Sequence, residues 1–152
     1  QLGDKDDILY EMPFAARKNA IIVDLDGTLA IFGKANPYDR DFLQDTVNFP
    51  ILEILKRFYS DTTIIIVSGR KGDYNIPTVK WLEEKQVPYH TLLMRGPSDN
   101  RKDSIVKKKI FEEEILPHYE ILFVIDDRLQ TCRLWYSLGL PLLRFGDPDA
   151  KF

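Results

Sequence analysis

Short continuous runs of Val, Ile and Leu recur along the chain: AIIVD from Ala20, TTIIIVS from Thr62, HTLLM from His90, EILFVID from Glu120 and a weaker LPLLRF from Leu140. Each has the length and β-branched content of a strand. Their hydrophobicity is continuous rather than alternating, so both faces of each strand should be covered. Amphipathic stretches lie between them. TVNFPILEILKRFYS sets Ile51, Leu52, Ile54, Leu55 and Phe58 at helical spacing, with Pro50 acceptable only in a first turn. NIPTVKWLEEKQ places Val79, Trp81 and Leu82 on one apolar face. DSIVKKKIFEEEIL carries Ile105, Val106, Ile110 and Ile115, with Asp103 or Ser104 as its cap and Pro117 beyond its end. RLQTCRLWYSLG offers Leu129, Cys132, Leu134 and Leu138 ahead of Gly139, a common C-terminal stop.

The order βαβαβαβαβ predicts right-handed crossovers and an α/β domain: a three-layer αβα, Rossmann-like sandwich around a central parallel sheet. Ligands in such domains bind outside the carboxyl ends of the strands. Two polar excursions interrupt the pattern. Residues 31–50, IFGKANPYDRDFLQDTVNFP, read as a loop or small flap, and LMRGPSDNRKD is the second excursion. No internal repeat or low-complexity segment is present.

A chain of 152 residues is expected to form one domain over 1–152. Gln1 in place of Met is what a fragment or processed product would show, so a longer parent is expected. No apolar run approaches the roughly 20 residues needed to cross a bilayer. The single cysteine, Cys132, excludes an internal disulfide and fits a reducing interior, which makes a cytoplasmic location the expectation. A net charge of −3 carries no global polyanion-binding signature, so any nucleic-acid contact must come from a local basic patch.

The predicted strand ends collect the polar groups. Asp24 and Asp26 follow the first, a Ser68-Gly69-Arg70 turn the second, and Asp126 and Asp127 the fourth. A parallel sheet brings these ends to one edge. One Asp at a strand end is most often a turn or cap residue; two pairs together with the Ser-Gly-Arg turn are not explained that way. Four carboxylates in one place repel, and a hard divalent cation relieves the repulsion. Asp24, Asp26, Asp126 and Asp127 are therefore the candidate metal ligands, and oxygen-only ligation suits Mg²⁺. His90 and His118 have no metal-ligand spacing.

DLDGT at 24–28 resembles the first motif, DxDGT at a strand end, of the haloacid-dehalogenase (HAD)-like phosphotransferases. The resemblance implies Asp24 as the nucleophile on phosphorus and Asp26 as general acid, then base. It also implies Ser68 as a phosphoryl-oxygen ligand, Lys107 as the lysine of the third motif, and Asp126 with Asp127 as the Mg²⁺-positioning pair. Lys107 has a second reading from spacing alone, an i,i+4 ion pair with a helix-capping Asp103. DLDGTLA followed by PYD at 37–39, VSGR at 67–70, and RKD, VK and IF with IDDR at 125–128 are similar to the 3′-phosphatase domain of phage polynucleotide kinase-phosphatases. That likeness implies a kinase module as a covalent neighbour and, where the parent is phage-encoded, the host cytoplasm. An Arg expected after the first motif has Lys34 as its nearest counterpart, one residue off in length, which brings a point charge in place of a planar fork. The candidate phosphate- and substrate-binding residues are Gly69, Arg70, Lys34, Arg95, Arg101 and Asp103.

The implied chemistry is Mg²⁺-dependent hydrolysis of a phosphomonoester through an aspartyl phosphate, with 3′-phosphorylated DNA or RNA ends as substrate. Only about 40 residues separate Asp26 from Ser68, too few for an independent cap domain, so an open site is expected. Lys34, Arg40, Lys71, Arg95, Arg101 and Lys102 form a candidate polar rim for backbone phosphates. Tyr38, Tyr74 and Tyr89 either stack on a base or line the surface. The rival readings are a phosphatase for nucleotides or other small phosphomonoesters, and a non-catalytic phosphate-binding or interaction module. The absence of GxxxxGK[ST] argues against 5′-kinase activity within these residues.

Overall fold

The computed structural model describes residues 17–36 and 39–151; Pro37 and Tyr38, the latter a candidate stacking residue, lie outside the described residues. Five parallel strands form the central sheet: β1 (Lys18–Asp24), β4 (Thr63–Lys71), β5 (Thr91–Arg95), β6 (Tyr119–Asp126) and β7 (Leu142–Arg144). Their spatial order is β5-β4-β1-β6-β7. The helices are α1 (Phe49–Phe58), α2 (Asn75–Glu84), α3 (Asp103–Ile110) and α4 (Leu129–Ser137). The chain turns to one side of β1 for β4 and to the other for β6, so β1 carries the switch point where such sheets bind ligands.

Continuous apolar strands were expected to be covered on both faces; β1 and β4 are, whereas Leu122 of β6 and Leu143 of β7 stay exposed. Ile21 and Val23 of β1 join Ile64 and Ile66 of β4 in a core closed by Ile51, Leu52 and Leu55 of α1 and Trp81 and Leu82 of α2. The alternate residues Ala20, Ile22, Ile65 and Val67 face the opposite core, made with Val106 and Ile110 of α3 and Trp135 of α4. Period-two alternation thus divides one apolar run between two helical layers.

Three local differences matter for the site. Residues 31–50 are not wholly a loop: β2 (Ala30–Ile31) and β3 (Thr46–Val47) pair antiparallel, and a 3₁₀ turn spans Phe42–Gln44 between them. Ser68-Gly69-Arg70 is not a turn but the end of β4, where the register against β5 shifts between Ser68 and Lys71. Such a bulge re-aims side chains at a strand end. The third helical stretch does not run uniformly: α3 passes at Phe111 into a π-helical turn, Phe111–Ile115, whose Phe111 and Ile115 remain buried.

The turn after β1 is tight. Leu25 O accepts the N–H groups of Thr28, Leu29 and Ala30, and Asn48 Nδ2 donates to Thr28 O at 2.8 Å, which ties the turn to the start of α1. Gly27 has φ +86°, and a Cβ there would collide with the Asp127 carboxylate. Gly27→Ala is expected to lower stability by about 1–3 kcal/mol, the range for a non-glycine residue held in that region, read as a shifted urea midpoint.

Candidate active site

Asp24, Lys107, Asp126 and Asp127 meet at the carboxyl edge of β1. Asp24 and Asp126 end adjacent strands, Asp127 follows at once, and α3 delivers Lys107 from 83 positions along the chain. Lys107 is 2% exposed; its Nζ donates to Asp24 Oδ1 at 2.6 Å and to Asp126 Oδ2 at 3.4 Å. The geometry therefore excludes an ordinary surface pair with Asp103, which instead binds Arg95 and Arg128. Thr28 Oγ1 lies 3.0 Å from both Asp24 Oδ2 and Asp127 Oδ1.

The electrostatics follow from burial. Desolvation, then the charge of Asp126, lifts Asp24 well above the usual carboxylate range against the opposing pull of Lys107. Burial likewise raises Asp127, with Asp126 adding to it. For Lys107 burial works downward, but Asp126 and Asp24 outweigh it and keep the ammonium charged. Oxygens of Asp24, Asp126 and Asp127 lie within 4.8 Å of one another, an all-oxygen donor set that can hold a hard cation. Asp26, expected among the ligands, is not part of that set.

Asp26 belongs to a second charge group. Arg70 Nε and Nη2 donate to it at 3.0 and 2.7 Å, and Arg40 Nη2 donates at 2.5 Å. Asp45, buried beneath, accepts from Arg40 at 2.9 and 2.7 Å and from Arg70 at 3.5 Å. Thr78 Oγ1 takes a further Arg70 proton at 2.9 Å, and the Phe42 ring lies 3.7 Å under that guanidinium. Trp81 Nε1 donates to Asp45 O at 2.9 Å and fixes this segment to the core. Burial pulls the Asp26 carboxyl upward, yet Arg70 and then Arg40 hold it below its ordinary value.

The surrounding cleft, about 1060 Å³, has both apolar and charged lining residues, among them Ile31, Phe32, Phe42 and Tyr74, and Arg101, Lys102, Asp103 and Arg128. Gly69 lies under Asp103, whose Oδ1 would be 2.8 Å from any Cβ added there. Ser68 is buried, and its Oγ accepts the Arg70 N–H at 3.1 Å. Arg95 lines the cleft but presents little surface to it. It is 8% exposed, and its donors go to Gly69 O, Asp99 O, Arg101 O and Asp103, which makes it a brace for the 96–103 loop. Arg101 pairs with Asp99 at 2.8 Å on the exposed side of that loop. Lys34 is exposed and lies outside the cleft lining; the cation that the 31–46 segment sends to Asp26 is Arg40. Lys71 lines the cleft, whereas Tyr89 packs against the core beneath α1 and α2.

Residues 18–149 match the family model for the polynucleotide kinase PNKP phosphatase domain. The chain belongs to this family. The phosphatase domain is 32% identical over 127 residues to a protein of Autographa californica nuclear polyhedrosis virus described as a bifunctional polynucleotide kinase/RNA ligase, covering 80% of this chain and 18% of the relative. Among solved structures, it superposes on a chain of the Pnkp1/Rnl/Hen1 complex with a TM-score of 0.83 at 39% identity, covering 87% of this chain and 48% of that one. A second structure, of the Pnkp1/Rnl/Hen1 RNA repair complex, gives 0.84 at 38% identity, with 88% and 44% covered. The domain thus spans under half of each of these relatives. Its HAD-like fold is shared with them. No helix among the described residues is long and apolar enough to cross a membrane.

Several participants escaped sequence reasoning. Arg40 was read as rim charge, and Asp45, Thr78 and Trp135 drew no functional reading, since their links to the site span 8 to 36 positions or look like core packing. Thr28 had a signal within DLDGT that went unused. Because Asp26 is held below its ordinary 3.8, its pairing stabilises the phosphatase domain fully above that pH and the gain is lost as pH falls through the lower folded value. Asp26→Asn is expected to flatten the acid limb of stability between about pH 5 and pH 2 in urea titrations. An unchanged limb would mean that the carboxylate is not paired in solution.

Proposed function

We propose that this domain is a Mg²⁺-dependent phosphomonoesterase that removes 3′-phosphate from nucleic-acid ends, in RNA repair. The observation that carries the reading is the buried Lys107–Asp24 contact at 2.6 Å beside the Asp126–Asp127 pair, inside an open cleft. An ammonium held against a strand-end carboxylate suits a phosphoryl group that must be neutralised before an anionic nucleophile can approach it. Membership of the polynucleotide kinase phosphatase family supports the substrate class. The matches to a kinase/RNA ligase and to an RNA repair complex support a kinase neighbour in the parent protein.

Asp24, Asp126 and Asp127 would hold the Mg²⁺, which supplies positive charge against the phosphoryl oxygens. Asp24 attacks phosphorus; the new bond is Oδ–P, and the bond from phosphorus to the 3′ oxygen breaks. Asp26 gives its proton to the departing alcohol. Water then attacks the aspartyl phosphate, its proton returns to Asp26, and inorganic phosphate leaves with Asp24 restored. Ser68, whose Oγ already accepts the Arg70 N–H, has its own proton to donate to a phosphoryl oxygen. Arg70 and Arg40 hold Asp26 ionised at rest, so the reaction requires the incoming dianion to take over guanidinium donors and leave Asp26 free to carry a proton.

The open cleft fits a chain end better than an enclosed metabolite: its lining combines the aromatic rings of Phe32 and Tyr74 with the cations Arg101, Lys102 and Arg128. The direct test compares release of phosphate from a 3′-phosphorylated oligonucleotide and from the matching 3′-mononucleotide, with and without Mg²⁺. Turnover that needs Mg²⁺ and a preference for the oligomer that weakens with salt are expected. Equal rates on the two substrates, without salt dependence, would favour a small-molecule phosphatase. Asp24→Asn should lower turnover by roughly 10³-fold or more, as loss of a covalent nucleophile does; unchanged turnover would refute the aspartyl-phosphate route and, if nothing is cleaved by either protein, a non-catalytic role stands.

A further inference from the structure

Asp126 is closed to solvent, so its orientation is set by protein donors. Arg128 N–H donates to Oδ1 at 3.1 Å. Oδ2 accepts the Trp135 indole N–H at 3.0 Å and Lys107 Nζ at 3.4 Å. Each carboxylate oxygen has two acceptor sites, so Oδ2 is filled and Oδ1 keeps one. Trp135 is fully buried on α4, its ring edge-on to Phe111 at 6.2 Å. Phe or Leu would serve that core without a polar atom; an indole belongs there only where its N–H reaches a partner. The partner here is a carboxylate of the cation site.

The two strong donors to Oδ2 differ in kind. Lys107 is shared with Asp24, sits farther from Asp126, and carries a charge that opposes a second cation nearby. The indole orients the same oxygen without adding charge. We infer that Trp135 is a positioning residue for the divalent cation: its N–H locks Asp126 by Oδ2 and so reserves Oδ1 for a metal shared with Asp24 and Asp127. This rests on the reading of those three residues as the Mg²⁺ site. Outer donors of this kind hold a ligand's rotation and basicity, and their loss typically weakens metal binding by about 10–100-fold.

The experiment is calorimetric titration of Mg²⁺ into the purified protein and its Trp135→Phe variant, with urea midpoints recorded alongside. A rise in the Mg²⁺ dissociation constant of about tenfold or more is expected. A variant with a lowered midpoint but an unchanged dissociation constant would reduce Trp135 to packing and overturn the inference. Should the variant fail to fold, the wild-type protein decides. In its ¹⁵N spectrum the Trp135 indole signal should move with the calorimetric midpoint while that of Trp81, bonded to Asp45 O, stays in place. A stationary Trp135 signal overturns the inference. Wild-type protein that takes up no Mg²⁺ removes the metal reading itself and this inference with it, a result distinct from the other two.

Discussion

Lys107 reaches from α3 into the end of β1 and places one ammonium among three carboxylates, two of which, Asp24 and Asp126, are buried away from the water that would screen them. A buried ion cluster of this sort is costly to assemble, and removing one member leaves a charge that nothing nearby can solvate. Its position dictates much of the architecture. α3 must dock against β4 and β5, Gly27 must lack a side chain because Asp127 occupies the space, and Asp126 must be held by Arg128 and Trp135. The ammonium does not balance the group: burial first, and then the negative charge of Asp126, raises the proton affinity of Asp24 and Asp127.

The two aspartates of DLDGT are separated by one residue yet live in opposite fields. Asp24 is pushed toward its neutral form by burial and by Asp126, while Asp26 is pushed toward its anion by Arg70 and Arg40. The proposed reaction needs the reverse: an anionic Asp24 and a protonated Asp26. On that proposal each reversal would come from a charge that the reaction brings: a divalent cation would restore the Asp24 anion, and a phosphate dianion would draw the guanidinium donors from Asp26. The resting protein would then be set against chemistry until both charges had arrived.

Much of this was legible in the chain. The five sheet strands announce themselves as apolar runs, and the members of each aspartate pair lie within two positions of one another at a strand end. Features set by a few residues or by distant partners were not legible. β2 and β3 have two residues each, too few for any periodicity, and the bulge that ends β4 is written in Ser-Gly-Arg, which reads equally well as a turn. Lys34 and Arg40 are both cations in one polar segment, and nothing local says which folds back to Asp26. Arg95 has the composition of a rim residue, but its burial depends on carbonyls of a loop whose path a sequence does not display. Trp135 resembles any core aromatic because its one polar atom meets its partner only in the folded layer.

The elements that build the site are drawn from the whole chain: β1 brings Asp24, the end of β4 brings Arg70, α3 brings Lys107 and β6 brings Asp126. β1 stands between β4 and β6, so its end is complete only after strands from both halves of the sequence have docked on it. Non-local closure of this kind comes late in folding. A nascent or half-assembled chain has no partial version of the catalytic edge, and recovered turnover would report completion of the last crossover rather than the appearance of helices or strands.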